Sequence, residues 1–307
     1  MAVLERFFRF TNNPLPRSDE RVMAIKTSTI AHITTPRPQG TAHWLASLGA
    51  VLLTLVALAA PASAQSDIEL MRTGTRLSFG AGVVMGALDF RSDPVIVLAD
   101  LGQIPSAAVG MEAWLDESAG FNIGYQFGTF GEVSVPLDVV LGNEPKIQLT
   151  YHRLEGAFLY RWFLGPKLTS MAFGFKAGFL LHNLTPSPHS PSLILSTTYF
   201  GPTLGGTARI PFTETMGLDA EAALVLPFNV REFPDDSGRS KNPLGAHAGG
   251  AFYLGLTRNL LAKVRYDLRF FNVGYNGTGT RGLGSAVGGA SDDLFHSVLL
   301  QGEWILD

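Results

Sequence analysis

Cysteine is absent from this chain, and charged residues are scarce. The lack of thiols excludes a disulfide framework, a thiolate metal site and a cysteine nucleophile. Charged side chains make up 16% of the 307 residues, against about 25% in typical soluble proteins. The net charge is −3, and the basic residues are dispersed among acidic ones, so nucleic acid is not an expected partner.

Long apolar runs are also missing from residues 65–307, where no uncharged apolar run approaches the length of a transmembrane helix. One such run lies earlier. The stretch from Trp44 to Ala60 is uncharged and mostly apolar, and small residues follow it up to Ala64. This pattern predicts a secretory signal cleaved after Ala64, with an uncleaved membrane helix as the alternative.

The segment before this run is polar and longer than an ordinary signal needs. A translation start at Met23, rather than Met1, would give a more usual length and keep Lys26 and Arg37 as its basic residues. The sequence therefore predicts three parts: a non-structural leader or mis-assigned start at 1–43, the apolar signal with its cleavage site at 44–64, and the folded domain at 65–307.

What the folded part has in abundance is period-two alternation, together with 34 glycines and 10% aromatic residues in the whole chain. In Leu260–Val273 the charged residues Lys263, Arg265, Asp267 and Arg269 take every second position, with apolar residues between them. Such alternation indicates a β-strand with two different faces. Ten segments show it: 76–88, 106–115, 121–127, 147–163, 171–181, 200–212, 218–228, 244–256, 260–273 and 297–306.

Short and long connections alternate between these segments. The short ones are 116–120, 164–170, 213–217 and 257–259, and the long ones are 89–105, 128–146, 182–199, 229–243 and 274–296. The glycine-rich part at 274–289 has no strand–loop–helix context for a phosphate loop and is interpreted as a surface loop. Pro202 and Pro211 interrupt the sixth segment, so eight strands remain an alternative to ten.

The two faces of the strands decide between a soluble and a membrane barrel. A soluble barrel, such as a periplasmic ligand-binding one, buries its apolar face, whereas a membrane barrel turns that face to lipid and its charges inward. The apolar face here is large and aromatic on nearly every strand. We therefore expect an all-β fold, an up-and-down antiparallel transmembrane β-barrel of about ten strands.

Face parity assigns a set of charged residues to the lumen of this barrel. They are Arg76, Glu112, Arg153, Glu155, Arg161, Lys176, Arg209, Asp219, Glu221, Lys263, Arg265, Asp267, Arg269 and Glu303. A barrel of about eight strands is just filled by side chains, and open channels need about 16 strands. Two interpretations stay open: a salt-bridged interior that stiffens the barrel, or a narrow, slightly cation-lined path for small or anionic solutes.

With its signal, its strand pattern and its last strand, the chain resembles bacterial outer-membrane β-barrel proteins of the small, porin-like kind over residues 74–307. The resemblance implies a Gram-negative outer membrane as the location. It implies membrane lipid and lipopolysaccharide as neighbours, and the barrel assembly machinery as a partner that reads an aromatic residue in the final strand. Here Trp304 lies three residues before the end and Asp307 is terminal.

No catalytic, cofactor or metal site is expected. Asp235, Asp236, Asp292, Asp293 and His296 are the candidates for an outer-membrane hydrolase, but acidic pairs in Gly/Ser-rich loops are usually solvated turn residues. No two histidines among His182, His189, His247 and His296 have a metal-ligand spacing. We therefore expect a narrow channel or a structural element. The alternatives are a barrel anchor whose loops mediate adhesion, a hydrolase, and a soluble barrel; the oligomeric state is open.

Overall fold

The computed structural model describes residues 30–33, 72–93, 96–134, 146–187, 194–281 and 284–306. The predicted signal at 44–64 lies outside these residues, as does the predicted leader apart from Ile30–Ile33. Twelve strands occur in the described part: β1 Ile30–Ile33, β2 Thr75–Asp93, β3 Ile96–Trp114, β4 Ala119–Ser134, β5 Lys146–Phe163, β6 Ala172–Ser187, β7 Ser196–Pro211, β8 Met216–Val225, β9 Asn229–Phe233, β10 Arg239–Gly255, β11 Leu260–Arg281 and β12 Gly284–Leu306. Among the described residues, no helix has the length and apolarity to cross a bilayer.

Ten of these strands close into an antiparallel barrel within the described part of the chain. Strands β2 to β8 pair in sequence order, β8 pairs with β10, and β10 to β12 continue the order. The barrel closes where β12 pairs with β2 from Leu306↔Thr75 to Val287↔Asp93, which we call the seam. The predicted up-and-down barrel of ten strands is confirmed, and each of the ten predicted segments forms part of a different barrel strand.

Two short strands lie outside the barrel order. Strand β9 pairs with β7 beyond the end of β8, and β1 runs parallel to β3 at Ile96–Ala99. Pro202 of β7 lies just before Thr203, the first residue of β7 that pairs with β8. The Pro202 carbonyl accepts a hydrogen bond from the Leu226 N–H at 2.9 Å. The proline is tolerated because it lies at a break in the ladder. Pro211 is the last residue of β7.

Tight turns join the strands at one end of the barrel, which we call the short-turn rim. In the β3–β4 turn, the Asp116 carboxylate accepts hydrogen bonds from the backbone N–H groups of Ser118 and Ala119 at 2.6 and 2.7 Å. These two donors hold the pKa of Asp116 below its ordinary value. The same carboxylate therefore pins the hairpin in its ionised form.

The opposite end, the long-loop rim, carries longer strands than predicted. The predicted loop at 89–105 is the end of β2 and the start of β3, and 274–296 is largely the continuation of β11 and β12. The interpretation of 274–289 as a surface loop was wrong. Register shifts at Val84/Gly86, Tyr275/Thr278 and Val287/Ala290 mark irregularities in the ladders. A bulge moves the alternation by one residue, so period-two analysis loses the strand there although its hydrogen bonding continues.

The outward face is a largely apolar band, with His152 and His296 as exceptions that each contact a tyrosine hydroxyl. On β2 the outward residues from Leu77 to Ala87 are all apolar, a span of 11 residues, and Asp89 follows. About 9–11 residues of tilted strand cross a bilayer. Asp89 is in register with Asp292 of β12, which accepts a hydrogen bond from Asn272 of β11 at 2.5 Å. A row of polar residues on three neighbouring strands thus ends the band on the side of the long-loop rim.

The barrel interior has two different halves. Toward the short-turn rim it is charged, and toward the long-loop rim it contains a packed apolar core. This core consists of Val84, Leu88, Phe90, Val97, Ala99, Leu101, Ile104, Val133, Ile147, Leu149, Tyr151, Leu180, Leu184, Ile194, Tyr199, Val225, Phe271, Val273, Tyr275 and Phe295. The predicted arrangement, with charged residues inside the barrel and apolar residues outside, therefore holds only for the half of the barrel nearer the short-turn rim.

Candidate functional site

The strand register places all fourteen predicted lumen charges on the inner face. Arg265 of β11, for example, lies opposite Ala251 of β10 and Leu299 of β12, and alternate residues along each strand share that face. Ion pairs between strands that are not neighbours then join the set across the lumen. Arg153 of β5, which pairs with Asp267 of β11, is one such case.

Twelve of the fourteen residues line a cavity of about 230 Å³, which we call the lumen cavity. Asp267 and Arg269 are not part of its lining. Small side chains from Ser78, Ala108 and Ala251 make room for the long basic ones. At Gly249 a Cβ would lie 2.6 Å from a carboxylate oxygen of Asp267, so this glycine is required for the close approach of the charges.

Ion pairs fill the part of the cavity nearer the short-turn rim. Lys263 Nζ lies 2.5 Å from Glu303 and 3.1 Å from Asp219. Glu303 also pairs with Arg76 of the neighbouring strand at 3.4 Å, and Asp219 pairs with Arg209 at 3.7 Å. Each acid thus has two basic partners, and the pairs join β2, β7, β8, β11 and β12 across the interior.

A second group of ion pairs lies deeper in the lumen. Lys176 bridges Glu155 and Glu221, the latter at 3.0 Å, and Arg265 contacts both Glu221 and Asp267. The bridges matter because a buried carboxylate without a cation would carry a large desolvation cost.

Asp267 is the centre of this deeper group. It is 0% exposed. Its carboxylate lies 2.9 Å from Arg265, 3.5 Å from Arg153 and 3.8 Å from Arg269, and it is 3.0 Å from His247 Nε2. One acid therefore serves three arginines and a histidine, which come from β5, β10 and its own strand.

Glu221, His247 and Asp267 are close enough together to resemble a metal site, since their ligand atoms lie within 4.8 Å of one another. Sequence spacing did not show this group, because the three residues come from three adjacent strands. The residues present do not fit a metal ion, however. Arg265 already contacts both carboxylates, and Arg269 Nη2 lies 3.3 Å from the histidine nitrogen that would be the ligand. A cation there would meet two guanidinium groups.

On the side of the charged groups nearer the long-loop rim, five side chains form an aromatic plug: Tyr151, His182, Tyr199, Phe271 and Phe295. The ring of His182 lies 4.3 Å from that of Phe295, 4.9 Å from Phe271, 5.0 Å from Tyr151 and 6.1 Å from Tyr199, measured between centroids. Tyr199 stacks on Phe271 at 4.1 Å. Neither ring nitrogen of His182 has a hydrogen-bond partner within the described residues. The plug and the apolar core around it close this half of the lumen.

The mouth of the cavity at the short-turn rim contains stacked arginines. The guanidinium of Arg161 lies 3.3 Å from the ring centroid of Trp114, and that of Arg72 lies 4.1 Å from Phe163. Arg72 also pairs with Glu117 of the β3–β4 turn at 3.1 Å. These contacts narrow the opening and hold the arginines in fixed orientations.

Solved structures similar to this chain include outer-membrane proteins. Outer membrane protein OprG from Pseudomonas aeruginosa is 8% identical with a TM-score of 0.36, over 76% of this chain and 97% of that one. The toluene transporter TodX from P. putida is 11% identical with a TM-score of 0.33, over 76% and 91%. The translocator domain of the autotransporter NalP from Neisseria meningitidis is 11% identical with a TM-score of 0.34, over 86% and 97%. No family model matches the chain, and no curated protein does.

The barrel assignment itself comes from the closed strand register of the described residues.

Two of the residues considered for a hydrolase, Asp293 and His296, are not brought together. Asp293 faces the interior, where its carboxylate accepts hydrogen bonds from Tyr199 at 2.5 Å and Ser291 at 2.7 Å. His296 lies on the outward face beside Tyr266, with 2.6 Å between its Nδ1 and the phenol oxygen. An acid and a histidine on opposite faces of one strand cannot share a proton with one substrate.

Proposed function

We propose that the chain is an integral outer-membrane barrel with a narrow path for small solutes, and that the described conformation is the closed one. The lumen cavity forms the half of the path nearer the short turns, and the aromatic plug closes the other half. The single observation that carries the proposal is the contrast between the outward and the inward face of the barrel strands. The outward band is largely apolar over a membrane's thickness, and the full charges lie inside, most of them in ion pairs.

A soluble barrel would leave this outward band in water. Large apolar side chains on it are well exposed: Phe79 by 53%, Phe158 by 50% and Leu224 by 54%. A continuous apolar surface of this kind marks contact with lipid or with another protein. Trp304 and Trp162 lie at the short-turn end of the band, where amphipathic aromatic rings favour the membrane interface.

The location is tested by fractionation together with a gel. We expect the mature chain in the outer-membrane fraction, with a mobility in SDS that changes on boiling. A soluble periplasmic protein without such a shift would contradict the membrane barrel.

The path is tested by conductance in planar bilayers. Because the plug closes the lumen, the wild-type chain should conduct weakly, and a Phe271→Ala, Phe295→Ala double variant should conduct several times more. Phe158→Ala on the lipid-facing side is the matched control and should behave like wild type. If the double variant is heat-modifiable yet no more conductive than wild type, the path is refuted and the barrel is a structural element.

A second candidate function is an anchor for surface binding. The observation in its favour is the β11–β12 hairpin, which continues past Asn272 and Asp292 to Arg281 and Gly284. Removal of 278–287 should then abolish binding to a partner surface while conductance and heat-modifiability stay unchanged. Loss of the heat-modifiable form would instead show that the hairpin supports the barrel.

The remaining proposals concern export and partners. Trp44–Ala60 would act as a signal cleaved after Ala64, which N-terminal sequencing of the mature chain tests. Lipid and lipopolysaccharide would contact the outward band, and β12 would be read by the barrel assembly machinery. We propose no enzymatic role, because the carboxylates of the lumen cavity are used in ion pairs with its lysine and arginine residues.

A further inference from the structure

The charges in the half of the lumen nearer the short-turn rim do not balance. Of the fourteen inward residues there, eight are arginine or lysine and six are aspartate or glutamate, which leaves a surplus of two positive charges. Asp293 also faces the interior, but it lies at the aromatic plug, where Tyr199 and Ser291 donate hydrogen bonds to its carboxylate. Arg72 and Glu117 at the mouth add one charge of each sign and pair with each other. The surplus therefore persists when the mouth is included.

Every one of the six acids already has a partner. Glu155 and Glu221 share Lys176, Asp219 and Glu303 share Lys263, and Asp267 has its arginines. Glu112, at the mouth side, accepts a hydrogen bond from Trp114 Nε1 at 2.7 Å and lies 3.8 Å from Arg76. The surplus is therefore located on particular arginines.

Arg161 is the first of them. It is only 8% exposed and forms no ion pair with any carboxylate of the described residues. Its Nε and Nη2 donate to the backbone carbonyls of Glu117 and Arg72, and its guanidinium stacks on Trp114. Carbonyl and ring contacts orient the guanidinium without neutralising it.

Arg153 is the second. It is also 8% exposed, and its Nε and Nη1 make no hydrogen bond within the described part of the chain. Among the described residues its one ion pair is the 3.5 Å contact with Asp267, a carboxylate that Arg265 and Arg269 also contact. Arg153 and Arg161 both line the lumen cavity and lie eight residues apart on the same face of β5, so they reach it at different depths.

We propose that the lumen cavity binds small oxyanions, that is, carboxylates or phosphate, with Arg161 as the receiving group near the mouth and Arg153 deeper in the lumen. The inference deepens the proposed path by naming its solute class, and it rests on that path for transport but not for binding. Arginine is suited to the role because its planar fork of N–H donors matches a carboxylate or phosphate in two parallel hydrogen bonds. Two surplus charges in a partly desolvated cavity favour an anion over a neutral or cationic solute.

Binding is tested on the full-length mature barrel in detergent, by calorimetric titration with sodium phosphate and, separately, with sodium acetate at constant ionic strength. Arg161→Met and Arg153→Met keep the aliphatic stem and should each weaken binding about tenfold or more, as expected for a lost charged hydrogen bond. Arg91→Met, at an exposed arginine near the long-loop rim, is the matched control and should leave the affinity unchanged.

A second variant changes the affinity in the opposite direction. Glu112→Gln removes one acid from the mouth and raises the surplus of positive charges to three, so it should tighten phosphate binding. A variant barrel that binds phosphate no more tightly than the wild type contradicts the inference. So does a heat-modifiable wild type without measurable phosphate or acetate binding.

Transport separates the two proposals. In the plug-opened double variant, a KCl gradient should give a reversal potential of the sign for chloride preference, and Arg161→Met should reduce it. Cation preference in a conducting variant would overturn the oxyanion inference and keep the path. Phosphate binding without conductance would keep the inference and overturn the path.

Discussion

Replacement of Asp267 by asparagine should destabilise the barrel more than any other single loss of an acid in the lumen. The variant keeps the shape of the side chain and removes its charge. Three arginines at 2.9, 3.5 and 3.8 Å lose their shared carboxylate, and His247 loses a charged partner. Arg265 retains Glu221, whereas Arg153 and Arg269 have no other carboxylate within ion-pair distance in the described structure.

The size of the effect follows from burial. Breaking a buried ion pair by removing one partner costs about 3–5 kcal/mol, because the remaining charge is left uncompensated in a medium of low dielectric constant. Asp89→Asn is the control, since its partner Arg91 is 64% exposed. For such a pair the expected loss is about 0–1 kcal/mol. The difference between the two variants should therefore be at least about 2 kcal/mol.

The assay is urea unfolding of the barrel in lipid vesicles, followed by tryptophan fluorescence and by the fraction that migrates in the unboiled position. A second variant, Arg153→Met combined with Asp267→Asn, removes one of the uncompensated cations and should recover part of the lost free energy of unfolding. Equal losses for Asp267→Asn and Asp89→Asn would refute the reasoning. A double variant less stable than the single one would show that the arginine acts by packing rather than by charge.

Three further variants test other features by the same unfolding assay. His182→Phe removes two buried nitrogens that lack hydrogen-bond partners in the described structure, and it keeps an aromatic ring. The free energy of unfolding should therefore rise by about 1 kcal/mol. A lower free energy of unfolding would show that the histidine makes a hydrogen bond. Gly82→Ala places a Cβ 1.9 Å from a backbone oxygen of β12 at the seam, so it should prevent formation of the heat-modifiable barrel. Gly250→Ala is the control: the nearest atom to its Cβ would be 3.8 Å away, so the heat-modifiable barrel should still form. Phe158→Arg should lower the free energy of unfolding by about 2–4 kcal/mol if the outward face contacts lipid. Leu115→Arg, in a turn outside the band, should leave the free energy of unfolding almost unchanged. Equal effects of the two variants would contradict the lipid contact.

The alternation of the sequence predicted the strands and their faces because both depend only on neighbouring residues. Lys263, Arg265, Asp267 and Arg269 share a face whatever lies opposite them. The ends of β11 and β12 were missed for the same reason, since a bulge shifts the alternation while the ladder of hydrogen bonds continues. Local pattern therefore indicates the strand ends at the short-turn rim more reliably than those at the long-loop rim.

The contacts across the lumen were beyond the sequence. Face parity puts Tyr151 and Phe271 inside the barrel, whereas His182, Tyr199 and Phe295 lie in segments that the sequence predicted as connections. Parity also contains no distance between strands that are not neighbours. The aromatic plug and the contact between Arg153 and Asp267 depend on barrel closure, on strand tilt and on register together. The apolar core inside the long-loop half was missed because apolar residues on both faces of a strand give no alternation to detect.

The seam has a consequence for how the chain reaches this structure. The first and last barrel strands are neighbours, and Arg76 and Glu303, which pair across the seam, are 227 residues apart in sequence. Contacts of such sequence separation make folding slow, because the closure entropy is spent before they form. Glu303 is also a partner of Lys263, so the ion pairs of this lysine are complete only after β12 has docked. Until then the growing sheet has two open edges and Lys263 has only Asp219 as an acidic partner among the described residues. A chain that ends before β12 would keep both features.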